Sequence, residues 1–395
     1  MQHDYDYLIV GAGMAADAAA RALREVDAAA RIGLVGAEAE APYDRPPLSK
    51  ALWKPGHDAD SVDRGTVAAT GATLHLGRRA VRLDTTAHRV EDERGERYTY
   101  RKLLLATGGA PRALPFGGER VLSYRTLPDY RRLRALAQPD AHIAVVGGGF
   151  IGSELAASLR GAGCRVSLVF PEAVLGERVF PAALARHIDA CYRERGVALH
   201  PGERVAGGRA DAQGVQLTLA SGASLAADAV VAGLGIVPDV ALAEAGGLAV
   251  DNGIVVDAYL RSSAPDVYAA GDVASFPDAV LGLRRRVEHE DNALQMGRAA
   301  ARNMAGLAEP WTHLPFFYSD LFDFGYEAVG LLDARLETVA DWVVPLREGA
   351  VYYLDDGRVR GVLLWNLWGQ TEHARALLAE RGPHDADSLR GRLPR

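Results

Sequence analysis

The chain has 395 residues, 49% of them hydrophobic and 24% charged, a balance that fits a globular protein of two or three domains. A net charge of −7 argues against a nucleic-acid partner. No apolar run reaches the roughly eighteen residues that a membrane-spanning helix needs. Only Met1 to Tyr7 precede the first apolar strand, with Asp4 and Asp6 and no cationic run, so no targeting segment is expected and the cytoplasm is the expected compartment. Cys164 and Cys191 form no C-x-x-C pair, so a thiol–disulfide relay is not expected, and both read as apolar filler.

Residues 7–10 read as a buried strand that runs into Gly11-Ala12-Gly13-Met14-Ala15-Ala16, then an alanine-rich helix over 14–25 and a strand over 31–35. The first glycine of such a turn permits a tight strand-to-helix reversal, and the second leaves bare backbone for a pyrophosphate. The third small residue, here Ala16, lets helix and strand close-pack. The free N–H groups at the helix start then face the phosphate charge. An acid at the end of the second strand is expected on the ribose hydroxyls; Glu38 is the first choice and Glu40 the fallback. From Ala41 to Trp53, Pro42, Pro46 and Pro47 stiffen an irregular passage before a helix expected near Ser49, so that Arg45 and Lys50 are presented on a preset backbone. A meander follows over 72–102 with a hairpin turn at 92–95, then a buried strand from Leu103 that ends on Thr107, Gly108 and Gly109.

After a crossover over 110–124 the plan repeats. His142-Ile143-Ala144-Val145-Val146 runs into Gly147-Gly148-Gly149-Phe150-Ile151-Gly152, with a helix over 153–162, a strand over 165–170 and a meander over 197–225. A strand over 228–232 ends near Gly233 and Gly235. Glu172 follows the second strand of this unit, where a carboxylate accepts both ribose hydroxyls of NADH and repels the 2′-phosphate of NADPH. Phe170, Pro171 and Ala173 place no arginine beside it, so NADH is the expected nucleotide. Asp266 to Asp272 then forms a strand that delivers an acid at its carboxyl end, where open parallel sheets bind ligands, before a helix over 287–303. Arg284, Arg285 and Arg286 make a basic run, read as solvated surface or as a docking patch for an acidic partner. After Pro310 the chain turns to aromatic-rich alternation with a hairpin at 355–357, a helix over 370–381 and a charged tail.

Two dinucleotide turns on one chain imply an enzyme that passes a hydride between two bound dinucleotides. The expected class is α/β, with two Rossmann-like dinucleotide-binding domains and a C-terminal α+β domain. Residues 1–125 and 251–310 form the first domain, 126–250 the second and 311–395 the third.

Several strings resemble the ferredoxin-reductase-like flavoproteins, of glutathione-reductase-like fold, and within them the bacterial relatives of apoptosis-inducing factor. They are Pro42-Tyr43-Asp44-Arg45-Pro46-Pro47-Leu48-Ser49-Lys50, the turn from Gly147 to Glu154, Tyr268-Ala269-Ala270-Gly271-Asp272, Val287-Glu288-His289, and Phe317-Tyr318-Ser319-Asp320 with the 325–330 segment. That resemblance implies non-covalent FAD on Gly11, Gly13, Glu38, Arg45, Lys50, Thr107, Gly108 and Asp272, with Glu288 and His289 in a further matching string. It implies NADH on Gly147, Gly149, Gly152, Glu154, Glu172 and Gly235. Lys50 and Glu154 correspond to a lysine–glutamate pair beside the isoalloxazine. Tyr318 stands where the branch often has tryptophan, and Glu290 where a second histidine often follows His289.

Hydride transfer needs nicotinamide C4 held against flavin N5, and the cofactors carry most of the chemistry. Lys50 is expected to balance the negative charge of the reduced flavin, with Glu154 pairing it so that it keeps its proton. His289 is read as a proton donor or as a structural helix-start residue. No compact ligand spacing is visible, and no metal is expected. The leading expectation is an FAD-dependent NADH:acceptor oxidoreductase. The acceptor is a ferredoxin or rubredoxin of an oxygenase system, or a quinone; the other class is a slow NADH sensor that holds a charge-transfer complex and forms a homodimer.

Overall fold

The computed structural model describes residues 1–394, which pack as two compact units, each built from three stretches of chain. One comprises 1–45, 60–110 and 237–315; the other comprises 46–59, 111–236 and, of the described residues, 316–394. Among the described residues no helix is long and apolar enough to cross a membrane.

The first unit is organised by a seven-stranded sheet in which the strand Gln2–Val10 lies between Ile32–Val35 and Arg97–Leu105, parallel to both. Thr73–His75 extends the sheet beyond Ile32–Val35, and Val267–Ala269 returns to pair with Arg97–Leu105 in parallel. The buried ends of these strands, Leu8 to Val10 and Leu103 to Leu105, form the centre of the core. The helix Met14–Val26 packs against Glu290–Met304 through small residues: a Cβ on Gly297 would stand 2.3 Å from the Ala15 carbonyl oxygen. The returning helix starts three residues later than expected, with His289 as its extended N-cap.

One buried charge fixes a loop to the first helix. Asp17 is fully buried and accepts from Arg21 Nε at 3.0 Å, Arg64 Nε at 2.7 Å and the Thr66 hydroxyl at 2.7 Å. Arg64 also pairs with Asp44. Two guanidinium groups and a hydroxyl thus replace the water that the carboxylate loses on burial.

The second unit repeats the plan with a five-stranded parallel sheet, in the order Val197–His200, Arg165–Val169, His142–Val146, Ala229–Ala232, Val121–Ser123. Val197–His200 is therefore an edge strand of this parallel sheet and not the start of the meander, which is the antiparallel sheet of 205–227. Val121–Ser123 likewise belongs to this sheet, although the sequence reads as crossover there. The helix after the second glycine turn begins at Phe150, directly on its N-cap Gly149, rather than at Ser153. The proline segment forms two 3-10 turns, Pro46–Ser49 and Ala51–Trp53, in place of the expected helix. Tyr124 and Tyr130 hold it by donating to the carbonyls of Leu48 and Leu52.

The same unit contains a five-stranded antiparallel sheet over 316–365 that packs with the helix Thr371–Ala379. The charged tail is more ordered than its composition suggests. Asp385 caps a short helix, Leu389 and Leu393 are buried, and the Gly391 amide donates to Asp341.

Replacing Asp17 with Ala leaves two guanidinium groups facing an apolar gap and should cost about 3 kcal/mol of stability. A urea unfolding titration checks this; a cost below about 1 kcal/mol would show that the ion pairs do not anchor the loop.

Candidate functional site

In the first unit the glycine turn does what its spacing predicts. Gly11 has φ +121°, and a Cβ there would collide with the Ala106 carbonyl oxygen at 2.1 Å. Gly13, the N-cap of the first helix, has no atom within 4 Å of its Cβ position and no side chain bonded to the helix amides. An uncapped helix start facing open space at a glycine fits a pyrophosphate. Ala16, fully buried, serves as the close-packing third residue.

The acids and bases around that turn are already engaged with one another. Glu38 accepts from the Tyr43 hydroxyl at 2.5 Å and pairs with Arg45, whose guanidinium lies 5.0 Å from the Tyr43 ring centre. Burial works against the Arg45 charge, but Tyr43, Glu38 and Asp272 outweigh it and push its pKa up. The Thr107 hydroxyl donates to the Asp239 carbonyl at 2.7 Å, and the Gly108 carbonyl accepts from the Asp239 amide at 3.0 Å, so the strand end is pinned twice. Asp272 sits in a 3-10 turn directly after Gly271.

Only part of the arginine run faces solvent: Arg284 is exposed, while Arg285 and Arg286 are drawn inward. Arg284 donates to the carbonyls of Val256 and Ser275. Arg285, with only 12% of its side chain exposed, pairs with Asp278 at 2.8 Å. Arg286 donates to the Asp272 carbonyl at 2.9 Å and pairs with Glu288 at 2.6 Å. For Arg285 and Arg286 internal bracing replaces the solvated-surface reading. Arg286 links the turn at Asp272 to the segment that leads into His289.

In the second unit, a Cβ on Gly147 would stand 2.5 Å from the Gly233 carbonyl oxygen, and one on Gly152 only 1.8 Å from the Gly147 carbonyl oxygen. Gly149 is again an uncapped helix start with nothing within 4 Å of its Cβ position. Gly235 has φ +78° and its carbonyl accepts from the Arg112 amide. Glu172 lies in the turn after the second strand, as expected, but it is paired with Arg178. Inspection of the immediate sequence neighbours missed this arginine, which the turn at 171–178 brings back onto the carboxylate.

Lys50 and Glu154 form the predicted pair. Lys50 Nζ lies 2.8 Å from Glu154 Oε2, with side-chain exposures of 10% and 2%. Its ammonium is also 5.0 Å from the Tyr318 ring centre, so that ring faces a cation. Two donors that the sequence did not single out complete the carboxylate. The Ser49 hydroxyl donates to Oε2 at 2.6 Å and the Ser319 hydroxyl to Oε1 at 2.7 Å. Burial and the Glu154 charge push the Tyr192 and Tyr326 phenols well up.

One cluster of potential ligand side chains was invisible in the spacing. His3, His75 and Glu96 offer ligand atoms within 4.8 Å of one another, the one such group among the described residues. His3 Nε2 lies 3.1 Å from Glu96, His75 Nε2 lies 2.6 Å from the Tyr5 hydroxyl, and Arg78 lies 3.3 Å from the other Glu96 oxygen. The guanidinium beside the carboxylate opposes a second cation, and we assign no metal there.

The pyridine nucleotide-disulphide oxidoreductase family model matches residues 5–297. The chain belongs to that family. A model of the apoptosis-inducing factor C-terminal domain (mitochondrion-associated) matches residues 300–348. The chain is 37% identical over 390 residues to the anthranilate 1,2-dioxygenase system ferredoxin–NAD(+) reductase component of Burkholderia cepacia, covering 97% of this chain and 96% of that protein. It is 33% identical to mitochondrial apoptosis-inducing factor 1 of Dictyostelium discoideum, over 96% of this chain and 80% of that protein. Among solved structures, the covalent putidaredoxin reductase–putidaredoxin complex matches with a TM-score of 0.89 and 31% identity, over 96% of this chain and 94% of that one. This family member is an oxidoreductase that binds FAD and NAD(H), an electron-transfer flavoprotein of the ferredoxin-reductase type, with two Rossmann-like lobes and a C-terminal α+β domain.

The two kinds of glycine should separate by experiment. Gly149→Ala adds a methyl group to open space and should leave the melting temperature nearly unchanged while weakening NADH at least tenfold. Gly152→Ala drives a methyl group into a carbonyl and should lower the melting temperature by several degrees. Unaltered NADH affinity in the first variant would remove Gly149 from the phosphate cradle.

Proposed function

We propose that this chain oxidises NADH and hands the electrons singly to a small ferredoxin-type iron–sulfur protein, as the reductase component of an oxygenase system. The buried Lys50–Glu154 pair carries the chemical half of this reading, because an ammonium held in a dry setting is what a developing negative charge requires. The end-to-end likeness to reductase components supports the choice of acceptor. The cysteines support it too. Cys164 and Cys191 are both buried and unpaired, so no internal disulfide takes the electrons onward.

FAD, when bound, would supply hydride-accepting chemistry toward NADH and one-electron chemistry toward two oxidised acceptors, with NAD⁺ and one proton released overall. The chain's own residues position and balance charge. We assign FAD to residues 1–125 and 251–310, on Gly11, Gly13, Ala16, Glu38, Arg45, Thr107, Gly108, Asp272, Glu288 and His289, with Lys50 balancing the charge of the reduced ring. Residues 126–250 take NADH on Gly147, Gly149, Gly152, Glu154, Glu172 and Gly235, and Tyr318 of the domain at 311–395 backs the Lys50 ammonium. His289, at the start of the returning helix, is the assigned proton donor.

Glu172 supports NADH over NADPH even with Arg178 paired to it, since an adenosine 2′-phosphate would have to break that pair. The kcat/KM for NADH should exceed that for NADPH at least tenfold, and equal values would contradict the assignment. The C-terminal match favours a second reading, an NADH sensor that turns over slowly. Anaerobic stopped-flow mixing separates the two. Reduced protein that passes electrons to a [2Fe–2S] ferredoxin at many turnovers per second supports the reductase. A long-lived reduced complex that ignores ferredoxin and quinone alike supports the sensor.

A further inference from the structure

We propose that Ser49 and Ser319 are positioning residues that keep the Glu154 carboxylate ionised and aimed, and through it keep the shared proton on Lys50 Nζ. The proposal rests on the reading that the Lys50 charge acts on the bound flavin.

The buried pair has an alternative arrangement. A lysine and a glutamate out of water can sit as ammonium and carboxylate, or pass one proton across and become amine and carboxylic acid. Coulomb attraction favours the first, and the loss of hydration favours the second. Hydroxyl donors tip the balance, because they stabilise the ionised carboxylate and lose an acceptor when it is protonated.

Glu154 has two such donors, and they grip different oxygens. Ser49 donates to Oε2 at 2.6 Å, the oxygen that Lys50 also contacts at 2.8 Å; Ser319 donates to Oε1 at 2.7 Å. The terminal torsion of a glutamate is soft, so one donor would leave the carboxylate free to turn. Donors on both oxygens stop it, and all three groups are nearly sealed, with Ser49 at 2%, Glu154 at 2% and Ser319 at 1% exposure.

Each serine is itself held. The Ser49 carbonyl accepts from the Ser158 hydroxyl at 2.7 Å, which ties the 3-10 turn to the helix that carries Glu154. Ser319 pairs across its sheet with Tyr326. Burial and Glu154 push the Tyr326 phenol well up, so it stays protonated. The Ser319 hydroxyl spends its one hydrogen on Glu154. The carboxylate is thus the meeting point of the 46–53 turn, the nicotinamide-lobe helix and the C-terminal sheet.

The test is a cycle on the FAD-loaded protein, with the flavin midpoint potential and the NADH reduction rate as readouts. Ser49→Ala/Ser319→Ala should slow reduction at saturating NADH roughly tenfold while changing NADH affinity less than about threefold. A tenfold bias against the reduced flavin should appear as a potential about 30 mV more negative. Ser319→Thr, which keeps the hydroxyl, should restore most of both. In a Lys50→Met background the serine changes should do nothing further, because their effect runs through that ammonium. Thermal melts of the apoproteins check that the variants fold. An unchanged potential in the double variant, or the same shift with Lys50 removed, would overturn the proposal. A Lys50→Met protein with normal potential and rate would instead remove the reading beneath it, and this proposal with it.

Discussion

The carboxylate of Glu154 and the ammonium of Lys50 meet at 2.8 Å in a setting that water barely reaches. Neither charge is stable there alone, so the surrounding chain has to supply what hydration would have supplied. It does so with the Ser49 and Ser319 hydroxyls and the face of Tyr318, drawn from segments more than a hundred residues apart in sequence. Stiff 3-10 turns bring Lys50 to the helix of the second glycine turn, and an antiparallel strand brings Ser319 and Tyr318 to the same helix. The C-terminal domain therefore supplies part of the polar setting of this ion pair.

The glycine turns follow a different logic, in which sterics divide labour within one motif. Gly11, Gly147 and Gly152 are needed because backbone passes too close for a Cβ, whereas Gly13 and Gly149 face open space at uncapped helix starts. The first set holds strand and helix together; the second leaves open space at the helix start, where the proposed phosphate contacts fall. Ala16 shows that the third position asks only for a small residue in the first lobe, while the close approach at Gly152 makes it strict in the second.

This contrast also explains what could be read from the sequence. The two Rossmann-like lobes, their turns, the acid after each second strand and the Lys50–Glu154 pair were legible, because each depends on local spacing or on strings shared across the family. The fate of Arg284, Arg285 and Arg286 was not, since their partners are Asp278, Glu288 and carbonyls from other strands and turns. Arg178 was missed because a turn of the chain, rather than adjacency, sets it on Glu172. Ser49 and Ser319 carry no signal of their own; a buried carboxylate selects them, and only the fold shows which hydroxyls reach it. The helix expected near Ser49 failed for a local reason, as Pro46 and Pro47 favour tight turns over a continuing helix.

The account stands or falls on two dinucleotides exchanging a hydride on this chain. An anaerobic titration of the FAD-loaded protein with NADH, followed through the visible flavin absorbance, tests it most directly. The bands should bleach completely with about one equivalent of NADH, as a two-electron exchange requires. Protein that takes up no FAD, or a flavin that keeps its colour in excess NADH, would contradict the account.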